Sequence, residues 1–139
     1  MHRNDAGVTL IKMLMVATII VLFATLATWD NFGRRGEAKL VAARVQITNF
    51  ERALTQYKLD TGVFPTTEQG LEALLNAPTD VAHWDGPYLR KEIPLDPWGH
   101  RYVYEFPGEH GNQPEIISYG TDGRPGGEGP NADIVSWKN

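Results

Sequence analysis

The chain has 139 residues, with 13 basic against 17 acidic side chains for a net charge of −4, and no cysteine. That length suits one small domain with an appended segment. The missing cysteines exclude a disulfide framework and any thiolate metal site, and no basic stripe tracks along a face, so nucleic acid is not an expected partner.

Hydrophobic residues make up 42% of the chain but are unevenly spread. Residues 6–29 read AGVTLIKMLMVATIIVLFATLATW, and their one charge is Lys12. The run from Val8 to Trp29 slightly exceeds the roughly 20 residues that a helix needs to cross a bilayer. It is too long for the apolar part of a secretory signal, and no small-residue cleavage site follows it. A retained anchor is therefore expected. Its orientation stays open, because Arg3 is offset by Asp5 on one side while Arg34 and Arg35 follow on the other. Two readings of Lys12 stand. Its stem can lie in hydrocarbon while the ammonium reaches the headgroups, or its charge can meet a partner in an assembly.

After Gly36, the residues Leu40, Ala43, Ile47, Phe50, Leu54 and Tyr57 recur at alternating steps of three and four. That is one apolar stripe on a helix. Lys39, Arg44, Glu51, Arg52 and Lys58 fall off it. Gly33 and Gly36 weaken the junction by about 1 kcal/mol each relative to Ala, but no proline breaks it. One helix is expected to persist from Val8 to Leu59. Packing of the stripe on the chain's own domain is favoured over a coiled-coil seam, since three heptads is short. Asp60-Thr61-Gly62 ends the helix, with Gly62 as the residue after the cap.

Thr66 and Gln69 form a capping box that predicts a second helix through Leu71, Leu74 and Leu75 to Ala77, closed by Pro78. Residues 79–100 read as loop, punctuated by Pro87, Pro94, Pro97 and Gly99. Arg101–Phe106, Glu115–Tyr119 and Ile134–Trp137 have the alternation and composition of strands.

Between the last two strands lies GTDGRPGGEGPNAD, residues 120–133. Asp122, Glu128, Asn131 and Asp133 are oxygen donors with no His or Cys nearby. Hard oxygen ligands on a flexible loop suit Ca²⁺ better than Zn²⁺ or Mg²⁺. The spacing is not that of an EF-hand, and a solvated glycine-rich hairpin is the competing reading. The loop joins strands that must pair, yet has few apolar groups to order it, which favours a cation. A small domain outside the cytoplasm without disulfides also tends to need such a staple.

Other candidates are weaker. His83, His100 and His110 are scattered without ligand spacing and are expected at the surface. Ser118 has no evident base or orienting acid in the sequence. Trp84, Trp98 and Trp137 read as core or strand-edge aromatics. Gly108 to Gly111 lacks the lysine and following helix of a phosphate loop. No catalytic constellation is found, and an enzyme is not expected.

Gly7-Val8-Thr9-Leu10-Ile11 resembles the type IV prepilin cleavage motif. The stretches YKLDTGVFPTTEQGLEALLNAP, DPWGHRYVY, PGEHG and SYGTDGRPGGEGPNADI resemble the general secretion pathway protein G family, the major pseudopilins of type II secretion systems. The resemblance covers nearly the whole chain. It implies an α+β, pilin-like fold: a long N-terminal α-helix, half transmembrane and half amphipathic, packed on a small antiparallel three-stranded sheet with a calcium-binding C-terminal loop. It divides the chain into a leader, residues 1–7, a transmembrane and filament-core helix, residues 8–29, and a periplasmic globular domain, residues 30–139.

By the same resemblance, prepilin peptidase cuts between Gly7 and Val8 and the new amine is methylated. The leader lies in the cytoplasm and the C-terminal domain in the periplasm of a bacterial inner-membrane protein. Subunits polymerise into a helical filament that drives folded proteins through the outer-membrane secretin. The implied partners are other copies of the chain, minor pseudopilins, the inner-membrane assembly platform and its separate ATPase. Asp122 and Asp133 are the implied side-chain ligands of Ca²⁺, with the Tyr119 carbonyl behind them and Glu128 and Asn131 as further candidates.

The sequence departs from the family pattern in three places. Lys12 stands where the family usually has Glu, which is thought to neutralise a neighbour's N-terminal amine. Two cations in a low-dielectric filament core are unfavourable by several kcal/mol unless a partner intervenes. Val21 and Trp29 replace a frequent Gly and Pro, so the anchor helix should be more regular. Val8 replaces the usual Phe or Met. The alternatives to a major pseudopilin are a type IV pilin or minor pseudopilin, and a membrane-tethered calcium-dependent binding module.

Overall fold

The computed structural model describes the backbone of residues 5–138, and the side chains of residues 10–23 and 35–138. The chain divides into two compact units, Met1–Glu37 and Ala38–Asn139. One α-helix, α1, spans Asp5–Thr61 and contributes to both. It runs through Gly33 and Gly36 without a break, as the absence of proline there predicts. The helix ends where the sequence indicates. Gly62 takes a left-handed φ of 84°, and its N–H donates to the Lys58 carbonyl at 2.8 Å, so a glycine past the last turn satisfies an otherwise orphaned carbonyl.

In the first unit, the described side chains from Leu10 to Phe23 lie exposed, among them Leu10, Ile11, Met13, Leu14, Ile19, Ile20 and Phe23. Among the described residues no helix is long and apolar enough to cross a membrane. The expected span over residues 8–29 includes positions 8, 9 and 24–29, whose side chains lie outside the described residues. At the cleavage-site residues Gly7 and Val8, too, only the backbone is described.

In the second unit the apolar stripe of α1 is the spine of the core. Ala43, Ile47, Phe50, Leu54 and Tyr57 are all buried, Ala53 joins them, and Leu40 packs at the edge. They share one core with Tyr102, Tyr104, Ile116 and Ile134 from the sheet region and with Leu71, Ala73 and Leu74. Phe50 meets Tyr102 edge to face, with ring centroids 5.2 Å apart, the favoured geometry for an aromatic pair. Tyr57 meets Tyr88 in the same manner at 5.5 Å.

Three strands form one antiparallel sheet in the order β1-β2-β3: β1 Val103–Glu105, β2 Glu115–Ser118 and β3 Ile134–Val135. Val103 pairs with Ile117, and Ile117 in turn with Val135. Each strand lies inside the segment expected from alternation, but is shorter.

The second helix is a correction. The capping box does form: the Thr66 N–H donates to Gln69 Oε1 at 2.9 Å, and the Gln69 N–H to Thr66 Oγ1 at 3.2 Å. Gly70 then adopts φ 58°, a conformation that glycine takes without steric cost and that ends helical continuation. Only a single 3₁₀ turn, Leu71–Leu74, follows, and it buries Leu71, Ala73 and Leu74. Burial of that cluster overrides the local helix signal.

Candidate functional site

The glycine-rich loop, residues 120–133, leaves the end of β2 and returns into β3. Its entry is held by a turn within the 79–100 segment expected as loop. In Asp96-Pro97-Trp98-Gly99-His100, the Asp96 N–H donates to the His100 carbonyl at 2.8 Å and the Gly99 N–H to the Asp96 carbonyl at 2.9 Å. Gly99 has φ 94°, a left-handed position that glycine adopts freely.

This turn carries a buried carboxylate. Asp96 is 4% exposed. Its Oδ1 accepts from the backbone N–H groups of Trp98 at 3.0 Å and His100 at 2.8 Å. Its Oδ2 accepts from the Ser118 hydroxyl at 2.6 Å. Buried carboxylates are tolerated only with such partners. Ser118, expected to have no acid partner, therefore has one, supplied by a turn 22 positions upstream. The hydroxyl is fully buried and accepts in turn from the Gly120 N–H at 3.3 Å.

The same turn reaches into the loop through His100. Its Nδ1–H donates to the Gly120 carbonyl at 3.1 Å, and its ring lies against Gly123, where an added Cβ would come within 2.8 Å of Nε2. His100 is thus a partly covered brace rather than a free surface residue. His83 is exposed, as expected. His110 is half-exposed but engaged: its ring stacks on Trp137 at 4.2 Å, and its Nδ1 lies 3.1 Å from Glu115 Oε1. That oxygen also accepts the His110 backbone N–H at 2.6 Å. Trp84 sits at the core margin and donates from Nε1 to the Ala73 carbonyl at 2.9 Å.

Within the loop, the candidate ligands are divided between local turns and one orphan. Asp122 Oδ1 accepts from the Arg124 N–H at 3.2 Å, a short turn of its own. Asp133 Oδ2 accepts from the Gly126 N–H at 2.8 Å, drawing the two limbs together. The Thr121 hydroxyl adds a second tie, to the Pro130 carbonyl at 2.8 Å. A 3₁₀ turn covers Gly129–Asn131 and is entered from Glu128 in extended conformation. Asp133 Oδ1 is buried with no hydrogen-bond partner. Among the described residues no three His, Cys, Asp or Glu side chains gather as a metal-binding group. Asp122, Glu128 and Asp133 are therefore not a cluster of three carboxylates. A cation here would draw on backbone and amide oxygens as well, which Ca²⁺ accepts.

Desolvation marks two core tyrosines at β1 and just before it. Burial, with Asp96 adding its charge, pushes the Tyr102 hydroxyl up to about 12. Burial raises Tyr104 as well, and its hydroxyl donates to the Pro65 carbonyl at 2.8 Å.

An N-terminal helix with one buried stripe on a small antiparallel sheet, its last two strands joined by a braced loop, is a pilin-like fold. The family model described as Type II secretion system (T2SS), protein G matches residues 31–137. The chain belongs to that family. It is 39% identical over 138 residues to the type II secretion system core protein G of Vibrio cholerae, covering 97% of this chain and 93% of the relative. It is 40% identical over 137 residues to that of Escherichia coli K12, covering 96% and 92%. The crystal structure of the major pseudopilin from the type 2 secretion system of enterohaemorrhagic E. coli superposes with a TM-score of 0.64 at 35% identity, covering 78% of this chain and 94% of that one.

Proposed function

We propose that this chain is a major pseudopilin: a subunit that polymerises into the periplasmic pseudopilus of a type II secretion system and so drives folded proteins through the outer membrane. The carrying observation is the likeness to protein G relatives over almost the entire chain, together with the pseudopilin fold. The exposed apolar side chains from Leu10 to Phe23 support it. So large an uncovered surface marks a membrane or protein contact.

The role assigned to the chain is structural. ATP hydrolysis belongs to a separate motor, and the remaining partners are the assembly platform, minor pseudopilins and the secretin. Prepilin peptidase removes the leader after Gly7. The mature protein is a single-pass inner-membrane subunit before it enters the filament. Lys12 lies in the filament core, so the subunit assembles beside a neighbour that supplies an acid to it.

Ca²⁺ binds the loop, held by the Asp122 and Asp133 side chains and the Tyr119 carbonyl, with Glu128 and Asn131 as further donors. The support is the orphaned, buried Asp133 Oδ1 and an all-oxygen donor set. A buried carboxylate oxygen without a partner is costly, and a hard cation relieves that cost. When bound, calcium supplies the positive charge that ties the limbs of the loop together. Overproducing the chain with its secretion platform tests the main reading. Filaments that react with an antibody to the chain are expected by electron microscopy; a membrane full of the chain that never yields filaments would overturn it.

A further inference from the structure

We infer that His100 is a positioning residue for cation binding by the 120–133 loop, although it does not touch the cation. The inference rests on the reading that this loop binds calcium. His100 is fixed from below: its backbone N–H is held by Asp96 Oδ1 at 2.8 Å, and its carbonyl closes the turn on the Asp96 N–H at 2.8 Å. Asp96 is in turn tied to β2 through Ser118. The imidazole therefore projects from a rigid base.

It acts on the loop at two points. Nδ1 binds the carbonyl of Gly120, whose own N–H is held by Ser118 Oγ, so both sides of that residue are fixed. Gly120 has φ 59°, and a Cβ there would come 3.1 Å from the Ala132 carbonyl on the returning limb. The ring face also lies against Gly123, next to Asp122. The imidazole thus fixes the residues that flank Tyr119 and Asp122, two of the proposed donors. Groups that orient metal ligands from behind typically alter metal affinity by about 10- to 100-fold when removed.

The test uses the full chain in detergent. Calcium affinity is measured by titration calorimetry for wild type, His100→Ala and His100→Asn, with amide hydrogen exchange of residues 119–133 in EGTA. The Asn side-chain amide can replace Nδ1 as donor to Gly120. His100→Ala is expected to weaken calcium binding about 10-fold and to speed loop exchange in EGTA, and His100→Asn to restore most of both. A His100→Ala chain with wild-type calcium affinity would overturn the inference while leaving the calcium reading intact. A wild-type chain that takes up no calcium would overturn both.

Discussion

Ser118 Oγ donates to Asp96 Oδ2 at 2.6 Å, in a site closed to solvent on both sides. This one bond joins the 96–100 turn to the end of β2, at the point where the glycine-rich loop begins. The loop therefore leaves the sheet from a fixed root rather than from a fraying strand end. Removing the hydroxyl while keeping the carboxylate leaves a buried acceptor short of a donor. Ser118→Ala should cost about 1–3 kcal/mol, read as a lowered denaturation midpoint of the full chain. A midpoint equal to wild type would show that the bond contributes nothing net.

The stripe on α1 makes a second prediction. Leu54 is 2% exposed and sits among Phe50, Tyr57 and the sheet residues. Leu54→Ala should cost roughly 2–5 kcal/mol through lost transfer energy and the cavity left behind. The exposed Val45, one face away on the same helix, is the control: Val45→Ala should change the stability of the dispersed subunit little. A negligible loss at Leu54 would place the stripe against a neighbour instead.

Tyr102 gives a pH dependence. Its hydroxyl titrates near 10.0 in the unfolded chain and at about 12 in the fold. A raised folded value means that the neutral form is favoured by folding. The contribution is therefore complete below pH 10.0 and lost as pH rises toward about 12. Stability should fall through that window, and Tyr102→Phe should make the fall shallower. A slope unchanged by Tyr102→Phe would contradict the assignment. Tyr104, raised by burial as well, leaves a residual slope in the variant.

Calcium removal is the fourth test. Asp133 Oδ1 is buried without a hydrogen-bond partner, a cost that a bound cation relieves. EGTA should lower the melting temperature of the full chain, and excess calcium should restore it, because a ligand that binds only the folded state stabilises it by mass action. Identical melting curves in EGTA and calcium would remove the cation from the account.

Much of the fold was legible because it is local and periodic. The buried stripe from Ala43 to Tyr57 could be read from alternating steps of three and four, and the helix stop from Gly62. Strand positions followed from alternation. What was not legible depends on distant pairing. Asp96 and Ser118 are 22 positions apart, and neither residue type announces a partner; the turn chemistry of Asp-Pro-Trp-Gly was the only available signal. His100 looked like a surface histidine because its contacts in the loop, Gly120 and Gly123, have no side chains to suggest a partner; the Asp96 carboxylate, 3.8 Å from its Nδ1, lies on its own turn. The helix expected after Thr66 failed for the opposite reason. Its local signal was genuine and its capping bonds formed, but Gly70 and the burial of Leu71, Ala73 and Leu74 redirected the chain.

Lys12 is the one charge between residues 6 and 29. Lys12→Glu should increase filament yield from this chain alone if an acid is what its own copies lack. Filament formation and secretion unchanged by Lys12→Glu would show that the lysine has no bearing on assembly.

A pseudopilin role requires an apolar helix that stays joined to the folded head in the mature subunit. N-terminal sequencing of the polypeptide from fractionated cells measures this most directly. The expected result is a chain that begins at Val8 and is recovered with membranes or filaments. A freely soluble fragment that begins near Asn31 would contradict it.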